Sequence, residues 1–253
     1  MSAEKPLPNS IPAGFIPLQG AINQSRNQVI ENHKTYLNSS LTAMMGLLDF
    51  DKQFTKAQGI YVWDNKGNRY LDFLGAYGAL NLGHNHPKVI DAVLQVKEFP
   101  NLLQAAPGTL AAALGKNLAL VTPGNLQRTF FGNSGAEAVE GALKLARAAT
   151  GRSGLVYCKG SFHGKSMGAL SVTGREKYQK TFQPLVPNCY SVPFGDLEAL
   201  EKRLSHKDCA AFIVEPIQGE GGIIMPPDGY LAGARQLCSK YGTLFILDEI
   251  QTG

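Results

Sequence analysis

Small, polar and acidic residues gather in four short segments, each of which follows an apolar or strand-like run of the sequence. The segments are 132–137, 161–164, 215–222 and 248–253. In the last of them, Asp248 directly follows Leu244–Leu247, a run that is typical of a strand buried on both faces. An ionised carboxylate is costly there unless it faces a cation or a hydrogen-bond donor. We therefore expect Asp248 to lie at a strand end and to meet a ligand.

The segment 132–137 offers a place for a phosphate group. Ser134, Gly135 and Ala136 precede a helical pattern rich in alanine and leucine. Small residues let an anion approach the free backbone N–H groups at a helix N-terminus, and the Ser134 hydroxyl adds a donor. The same residues also suit a plain helix cap, with Glu137 as the capping-box partner. Both interpretations stay open for this segment alone.

The other two segments hold an aromatic ring and two carboxylates. Phe162 can stack on a flat cofactor, and Gly164 beside His163 leaves room for a close approach, although a Phe next to a His is also common in cores. Glu215 ends a strand-like run, and Glu220 lies in a glycine-rich loop. Two such carboxylates can bind an amine or shift each other's protonation, or can be solvated charges on a flexible loop.

Alternating strand and helix patterns precede and separate these segments. The expected strands are Thr129–Phe131, Leu155–Cys158, Tyr190–Val192, Ala210–Val214 and Leu244–Leu247. The expected helices between them are Ser134–Ala149, Leu197–Leu204 and Tyr230–Tyr241. This alternation predicts an α/β fold with a mostly parallel, doubly wound sheet and a ligand outside the carboxyl ends of its strands.

The first 75 residues have a different pattern. Residues 1–24 begin with closely spaced prolines and no periodicity, which predicts a mobile arm. Residues 25–75 predict one or two amphipathic helices up to Leu48, interrupted near Asn38, and a hairpin around Asp64–Gly67. We assign 25–75 to a small domain and 76–253 to the first, incomplete part of a large ligand-binding domain. Two further helices are expected in 76–253, from Pro87 to about Phe99 and from Leu110 to Leu120.

Composition favours a small-molecule partner over nucleic acid or a membrane. The chain is 44% apolar and 17% charged, and its net charge of +4 is spread along the sequence. The four cysteines lack CxxC spacing, and no N-terminal apolar stretch is long enough for a signal or a membrane span, which predicts reduced thiols and a cytoplasmic protein. His84 and His86 are too few ligands for us to assign a metal.

In this order and combination, the four segments resemble the class III aminotransferases of the ornithine, acetylornithine and putrescine type. The resemblance runs from the hairpin Tyr61–Asp64 through Asn81–Pro87 to Asp248–Gly253, and Phe162–Ser171 with Pro216–Gly222 is most similar to the putrescine branch. It implies pyridoxal phosphate as cofactor and the type I fold of that cofactor's transferases. It also implies a homodimer that uses an amine donor and a 2-oxo acid such as 2-oxoglutarate.

The resemblance gives the first two segments their roles. Ser134, Gly135 and Ala136 would hold the cofactor phosphate. Many relatives have Thr or Ser where this chain has Ala136, so backbone groups would have to replace one hydroxyl donor. Phe162 would stack on the pyridine ring, with His163 beside it.

The same resemblance assigns the remaining candidates. Asp248 would keep the ring nitrogen protonated, so that the ring can withdraw the electrons left when the substrate Cα proton departs. Gln251 would lie near the phenolic oxygen of the ring. Glu215 and Glu220 would bind substrate, and Glu220 resembles the glutamate that swings to neutralise an arginine when the substrate carries an amine.

The family's Schiff-base lysine, which also shuttles the proton, would come after the Asp248 motif and so beyond Gly253. Lys144 and Lys165 do not match it, and the arginine that binds the substrate carboxylate has no match either. We therefore expect these 253 residues to be the N-terminal portion of an enzyme and to be inactive alone.

Two other classes stay open. A nucleotide-using α/β enzyme can share a phosphate cup, but no GxGxxG follows the first strand of a βαβ unit and no Walker GK[ST] is present. A truncated, non-catalytic binding or scaffold protein is the second alternative. Within the aminotransferases, the donor could be putrescine, ornithine, acetylornithine or 4-aminobutyrate.

Overall fold

The computed structural model describes residues 13–100 and 105–253. The chain divides into two compact units, Met1–Asn101 and Leu102–Gly253. Our division at residues 24 and 75 stays a prediction, and residues 1–12 of the expected arm lie outside the described residues.

Short helices open the first unit. They are α1 (Leu18–Ile22), α2 (Arg26–Asn32), a π-helical turn (His33–Leu37) and α3 (Ser39–Leu47). Ser25 and Gln28 form a capping box at the start of α2. The interruption near Asn38 is confirmed, because Asn38 is extended and its side chain accepts the Leu41 N–H at 2.9 Å, which caps α3.

A three-stranded antiparallel sheet follows in the order β1 (Phe54–Gln58), β2 (Tyr61–Asp64), β3 (Arg69–Leu71). The predicted hairpin is confirmed, whereas β1 has no counterpart among the sequence predictions. The Asp64 carboxylate organises the turn: it accepts the Asn68 side-chain and backbone N–H groups and the Tyr70 hydroxyl. These bonds lower the pKa of Asp64 to about 2. The unit continues with α4 (Gly75–Gly78) and α5 (Pro87–Gln95), which ends before the predicted Phe99.

The second unit alternates helices and strands. Its helices are α6 (Thr109–Val121), α7 (Gly135–Thr150), α8 (Met167–Ser171), α9 (Glu176–Gln179), a 3₁₀ turn (Lys180–Phe182), α10 (Leu197–Leu204) and α11 (Tyr230–Tyr241). Its strands are β4 (Gly154–Cys158), β5 (Cys189–Val192), β6 (Cys209–Val214) and β7 (Leu244–Leu247). The strands pair in parallel in the order β5-β4-β6-β7.

The strand predicted at Thr129–Phe131 is wrong. These residues pair with no described strand, and Phe130 lies instead against α7, where a Cβ built on Gly141 would be 3.1 Å from its ring. A run of three residues is too short for its composition to decide between a sheet and the side of a helix.

Apolar clusters cover both faces of the parallel sheet. Phe212 and Val214 of β6 pack with α10 and α11, while Ala211 and Ile213 pack with α7 and α8. The predicted doubly wound α/β fold is therefore confirmed. Cys158, Cys189, Cys209 and Cys238 are free thiols, all but Cys189 buried. Within the described ranges, no helix has the length and apolar character needed to span a bilayer.

Candidate active site

The four chemical segments meet at the carboxyl ends of β4, β6 and β7. Each segment contacts at least one other. Gly135 meets Ile250, Gly164 meets Ala136, His163 meets Asp248, Phe162 meets Glu215, and Gly219 lies beside Gln251. The edge of the sheet predicted from the strand pattern therefore holds the candidate residues, and all of them belong to the second unit.

A buried His–Asp pair lies at the centre of this edge. His163 Nδ1 is 2.6 Å from Asp248 Oδ2, and the two side chains are 0% and 4% exposed. The second carboxylate oxygen accepts the Ile250 N–H at 3.2 Å. The pair reaches from the end of β4 to the end of β7, past the intervening strand β6. His163 is therefore the partner that the strand-end carboxylate of Asp248 needs. The sequence predicted only that His163 would lie beside the ring of a ligand.

Glu215 holds two loops together at the end of β6. Its Oε2 accepts the Phe162 N–H at 2.9 Å, and its Oε1 accepts the Gly219 N–H at 3.3 Å. Burial raises the pKa of Glu215, the Asp248 carboxylate adds to that effect, and the two N–H groups and His163 oppose it. The role of Glu215 in substrate binding stays a prediction, since both of its oxygens accept bonds from the chain itself.

The raised pKa of Glu215 predicts a pH-dependent stability. The folded protein keeps this carboxyl protonated at pH values where the unfolded chain has already lost the proton, so the free energy of unfolding falls as pH rises from 4.5 through the raised pKa. One such group contributes a slope of at most about 1.4 kcal/mol per pH unit. We expect Glu215→Gln to remove this slope, measured as the difference between the urea unfolding free energies of variant and wild type. Parallel pH profiles of the two proteins would contradict the expectation.

The start of α7 forms a cup of small residues. Ser134 Oγ caps the helix by accepting the Glu137 N–H at 3.2 Å. Glu137 accepts the Asn133 N–H at 2.6 Å, so it closes on the residue before the cap and not on the cap itself, as a capping box would. The N–H groups of Gly135 and Ala136, which have no partner within a helix, donate to no other described residue.

Close contacts fix the walls of this cup. A Cβ built on Gly135 would lie 2.6 Å from Ile250 Cδ1. Gly164 has φ +131°, and a Cβ there would lie 2.9 Å from Ala136 Cβ and 3.0 Å from Ala169 Cβ. The cup therefore touches the segment after β7 on one side and the aromatic loop after β4 on the other.

Glu220 lies near Phe162 and is already paired with a cation. Arg175 Nη1 is 2.7 Å from Glu220 Oε2 and also donates to the Glu220 carbonyl oxygen. The Tyr178 hydroxyl donates to the same carboxylate at 3.3 Å, and the Tyr178 ring packs edge-on against Phe162 with centroids 5.9 Å apart. Sequence reasoning missed Arg175 and Tyr178, because they follow α8 on a segment that ends no strand.

Together, these side chains and N–H groups fit a flat ligand that has a phosphate group and a protonated ring nitrogen. The cup offers unpaired N–H groups and the Ser134 hydroxyl for the phosphate. Phe162 offers a half-buried ring, and Asp248 offers a buried carboxylate. His163 Nε2 is buried and has no hydrogen-bond partner among the described residues, so this nitrogen can still form a hydrogen bond to a ligand. No group of three metal-ligating side chains occurs in the part of the chain that the structure describes.

Comparison with known proteins gives one consistent family. The aminotransferase class-III family model matches residues 48–253. The chain is 42% identical to aminotransferase PigE of Serratia sp. over 94% of this chain and 28% of that protein. It is 43% identical to putrescine aminotransferase of Pectobacterium atrosepticum over 92% of this chain and 52% of that protein. It therefore spans about half the length, or less, of these relatives.

A solved structure agrees with the sequence matches. Taurine:2-oxoglutarate aminotransferase of Bifidobacterium kashiwanohense, determined in complex with pyridoxal phosphate and glutamate, superposes with a TM-score of 0.81 at 30% identity. The superposition covers 91% of this chain and 56% of that one. The two chains therefore share the fold over nearly all of the sequence described here.

Proposed function

Because this chain belongs to the class-III aminotransferases, whose cofactor is pyridoxal phosphate, we propose that the intact protein moves an amino group from a diamine or ω-amino acid to a 2-oxo acid. The donor class is the putrescine or ornithine type and the acceptor is 2-oxoglutarate or a close analogue. The observation that supports this best is the buried Asp248–His163 pair beside the helix cup, since it joins a fixed negative charge to an anion site. The putrescine aminotransferase relative supports the donor class.

The chain's own residues would bind and polarise the cofactor. Ser134, Gly135 and Ala136 would hold its phosphate, and Phe162 would stack on its ring. When bound, pyridoxal phosphate supplies an electron-withdrawing ring that stabilises the negative charge left by proton removal from the substrate. Asp248 would keep the ring nitrogen protonated.

His163 would act on the cofactor through Asp248. It holds that carboxylate in place at 2.6 Å and accounts for one of its oxygens. Because both side chains are buried, water cannot replace this bond or screen the carboxylate charge.

Substrate selection would fall to the loop after β6. When the substrate carries an amine, Glu220 would exchange Arg175 for the arginine that otherwise binds the substrate carboxylate. Gln251 would lie near the phenolic oxygen of the ring. The exposed Glu220 carboxylate can exchange partners at little cost, because a solvent-exposed ion pair contributes about 0–1 kcal/mol. Glu215 would act in substrate binding by holding this loop against Phe162.

None of the lysines in residues 1–253 matches the family's Schiff-base lysine, and we propose that these residues do not turn over substrate by themselves. The active protein would be a cytoplasmic homodimer.

The proposal is tested by titrating the intact protein with pyridoxal phosphate and then assaying glutamate formation from 2-oxoglutarate. Putrescine, ornithine, acetylornithine and 4-aminobutyrate serve as separate donors. Cofactor binding together with transfer from at least one of them supports the proposal. Binding of a dinucleotide in place of pyridoxal phosphate would overturn it in favour of a nucleotide-using enzyme. Binding of neither would favour a non-catalytic protein.

A further inference from the structure

Glu140 is a half-buried carboxylate of α7 that the proposed chemistry does not use. One of its oxygens, Oε1, accepts three hydrogen bonds: from Ser166 Oγ at 2.7 Å, from the Gly168 N–H at 2.8 Å and from the Ala169 N–H at 3.1 Å. All three donors belong to the first turn of α8 or to the residue that precedes it. A single side chain of one helix therefore holds the start of another.

Glu140 takes the place of a helix cap for α8. The first N–H groups of a helix have no partner within it, and negative charge is favourable at that end. Ser166 occupies the N-cap position, but its side chain accepts no N–H of the helix. The carboxylate lies so close to the backbone that a Cβ built on Gly168 would overlap Glu140 Oε2. Only glycine fits at that position without displacing Glu140.

The contact joins two parts of the candidate cofactor site. Helix α7 begins at the phosphate cup, and Glu140 follows Gly135 by about 7.5 Å along the helix axis. Helix α8 ends the loop that holds Phe162 and His163. The N-terminal side of this loop is held by Glu215, and its middle packs against Ala136 through Gly164. Among these contacts, Glu140 supplies the only carboxylate that ties the C-terminal end of the loop to α7.

We propose that Glu140 is a positioning residue: by anchoring α8 to α7, it sets the separation between the phosphate cup and the Phe162–His163 loop, and thereby the affinity for pyridoxal phosphate. The inference depends on the proposed function, because it assigns the cup and the loop to one ligand. A ligand that contacts both parts gains affinity from their fixed separation, whereas a ligand that fills only the cup does not.

The test is Glu140→Gln in the intact protein. The amide removes the negative charge, so the three bonds to Oε1 become weaker bonds to a neutral oxygen. The dissociation constant of pyridoxal phosphate, measured by equilibrium dialysis, should therefore rise at least tenfold, equivalent to about 1.4 kcal/mol. Inorganic phosphate, measured as a competitor, fills only the cup and should keep its inhibition constant within about twofold, a free-energy change of about 0.4 kcal/mol. Glu198→Gln is the matched control, since Glu198 is exposed in the first turn of α10.

The outcomes separate this inference from the proposed function. If Glu140→Gln weakens the binding of pyridoxal phosphate and of inorganic phosphate equally, the variant is generally destabilised and the inference is overturned. An unchanged dissociation constant for pyridoxal phosphate would also overturn it. Failure of the wild-type protein to bind pyridoxal phosphate would overturn the proposed function itself. If Glu140→Gln does not fold, Ser166→Ala decides, because it removes one of the three bonds and should weaken pyridoxal phosphate two- to threefold, about 0.4–0.7 kcal/mol. Unchanged binding in that variant would also count against the inference.

Discussion

Replacing Asp248 with asparagine is expected to slow amino-group transfer by the intact protein about 100- to 1,000-fold, the range seen when one preorganised electrostatic group is removed from an active site. A neutral amide cannot hold a proton on the ring nitrogen, so the ring loses most of its capacity to withdraw electrons. Asparagine keeps the shape of the side chain and can still accept the Ile250 N–H. The loss should therefore appear in kcat at saturating donor, with a smaller change in KM.

Glu249→Gln is the control for this experiment. It removes the adjacent carboxylate, which is exposed, and should leave kcat unchanged. Alanine is less informative at Asp248, because it leaves the buried His163 ring without its partner and adds a folding defect of about 1–3 kcal/mol. Wild-type turnover in the asparagine variant, with a folded protein, would remove Asp248 from the mechanism.

The cost of burying Asp248 links its proposed role in the chemistry to its partners in the structure. The side chain is 4% exposed, so its charge is tolerated only with donors on both oxygens. His163 Nδ1 lies 2.6 Å from one oxygen, and the Ile250 N–H donates to the other. In so dry an environment, a charge on this carboxylate would attract the protonated ring nitrogen of the proposed cofactor more strongly than it would in water.

Much of the second unit could be predicted from the sequence, because its strands are mostly apolar and alternate with amphipathic helices. The bounds predicted for Leu197–Leu204, Tyr230–Tyr241 and Leu244–Leu247 are those of α10, α11 and β7. The predictions that failed concerned short runs, or runs whose contacts the hydrophobic pattern of the sequence does not reveal. Thr129–Phe131 packs beside a helix, and β1 has the polar composition of a surface strand.

The candidate site could be predicted as a set of residues but not as a set of contacts. Three of the four segments follow β4, β6 and β7, so the parallel topology brings them to one edge, whereas 132–137 follows no strand and reaches that edge at the start of α7. The His163–Asp248 pair depends on β6 lying between β4 and β7, and strand order is not written in local composition. For the same reason, Arg175 could not be recognised from sequence as the partner of Glu220.

Gly164→Ala is expected to destabilise the intact protein by about 2–6 kcal/mol and to abolish measurable binding of pyridoxal phosphate. Gly164 has φ +131°, a conformation that costs a residue with a Cβ about 1–3 kcal/mol. The new Cβ would also lie 2.9 Å from Ala136 Cβ and 3.0 Å from Ala169 Cβ. Overpacking of this kind costs about 1–3 kcal/mol more. Urea unfolding and equilibrium dialysis measure the two effects separately.

Gly151→Ala distinguishes backbone strain from damage to the site. Gly151 has φ +66° at the end of α7 opposite the cup, and a Cβ there would meet no atom within 4 Å. It should cost about 1–2 kcal/mol of stability from its backbone conformation alone and leave the affinity for pyridoxal phosphate unchanged. At Gly164, backbone strain is added to displacement of Ala136 from the aromatic loop, so we expect the affinity for pyridoxal phosphate to fall together with stability. If Gly164→Ala loses stability but binds the cofactor as tightly as Gly151→Ala, contact between the loop and the cup is not what forms the site.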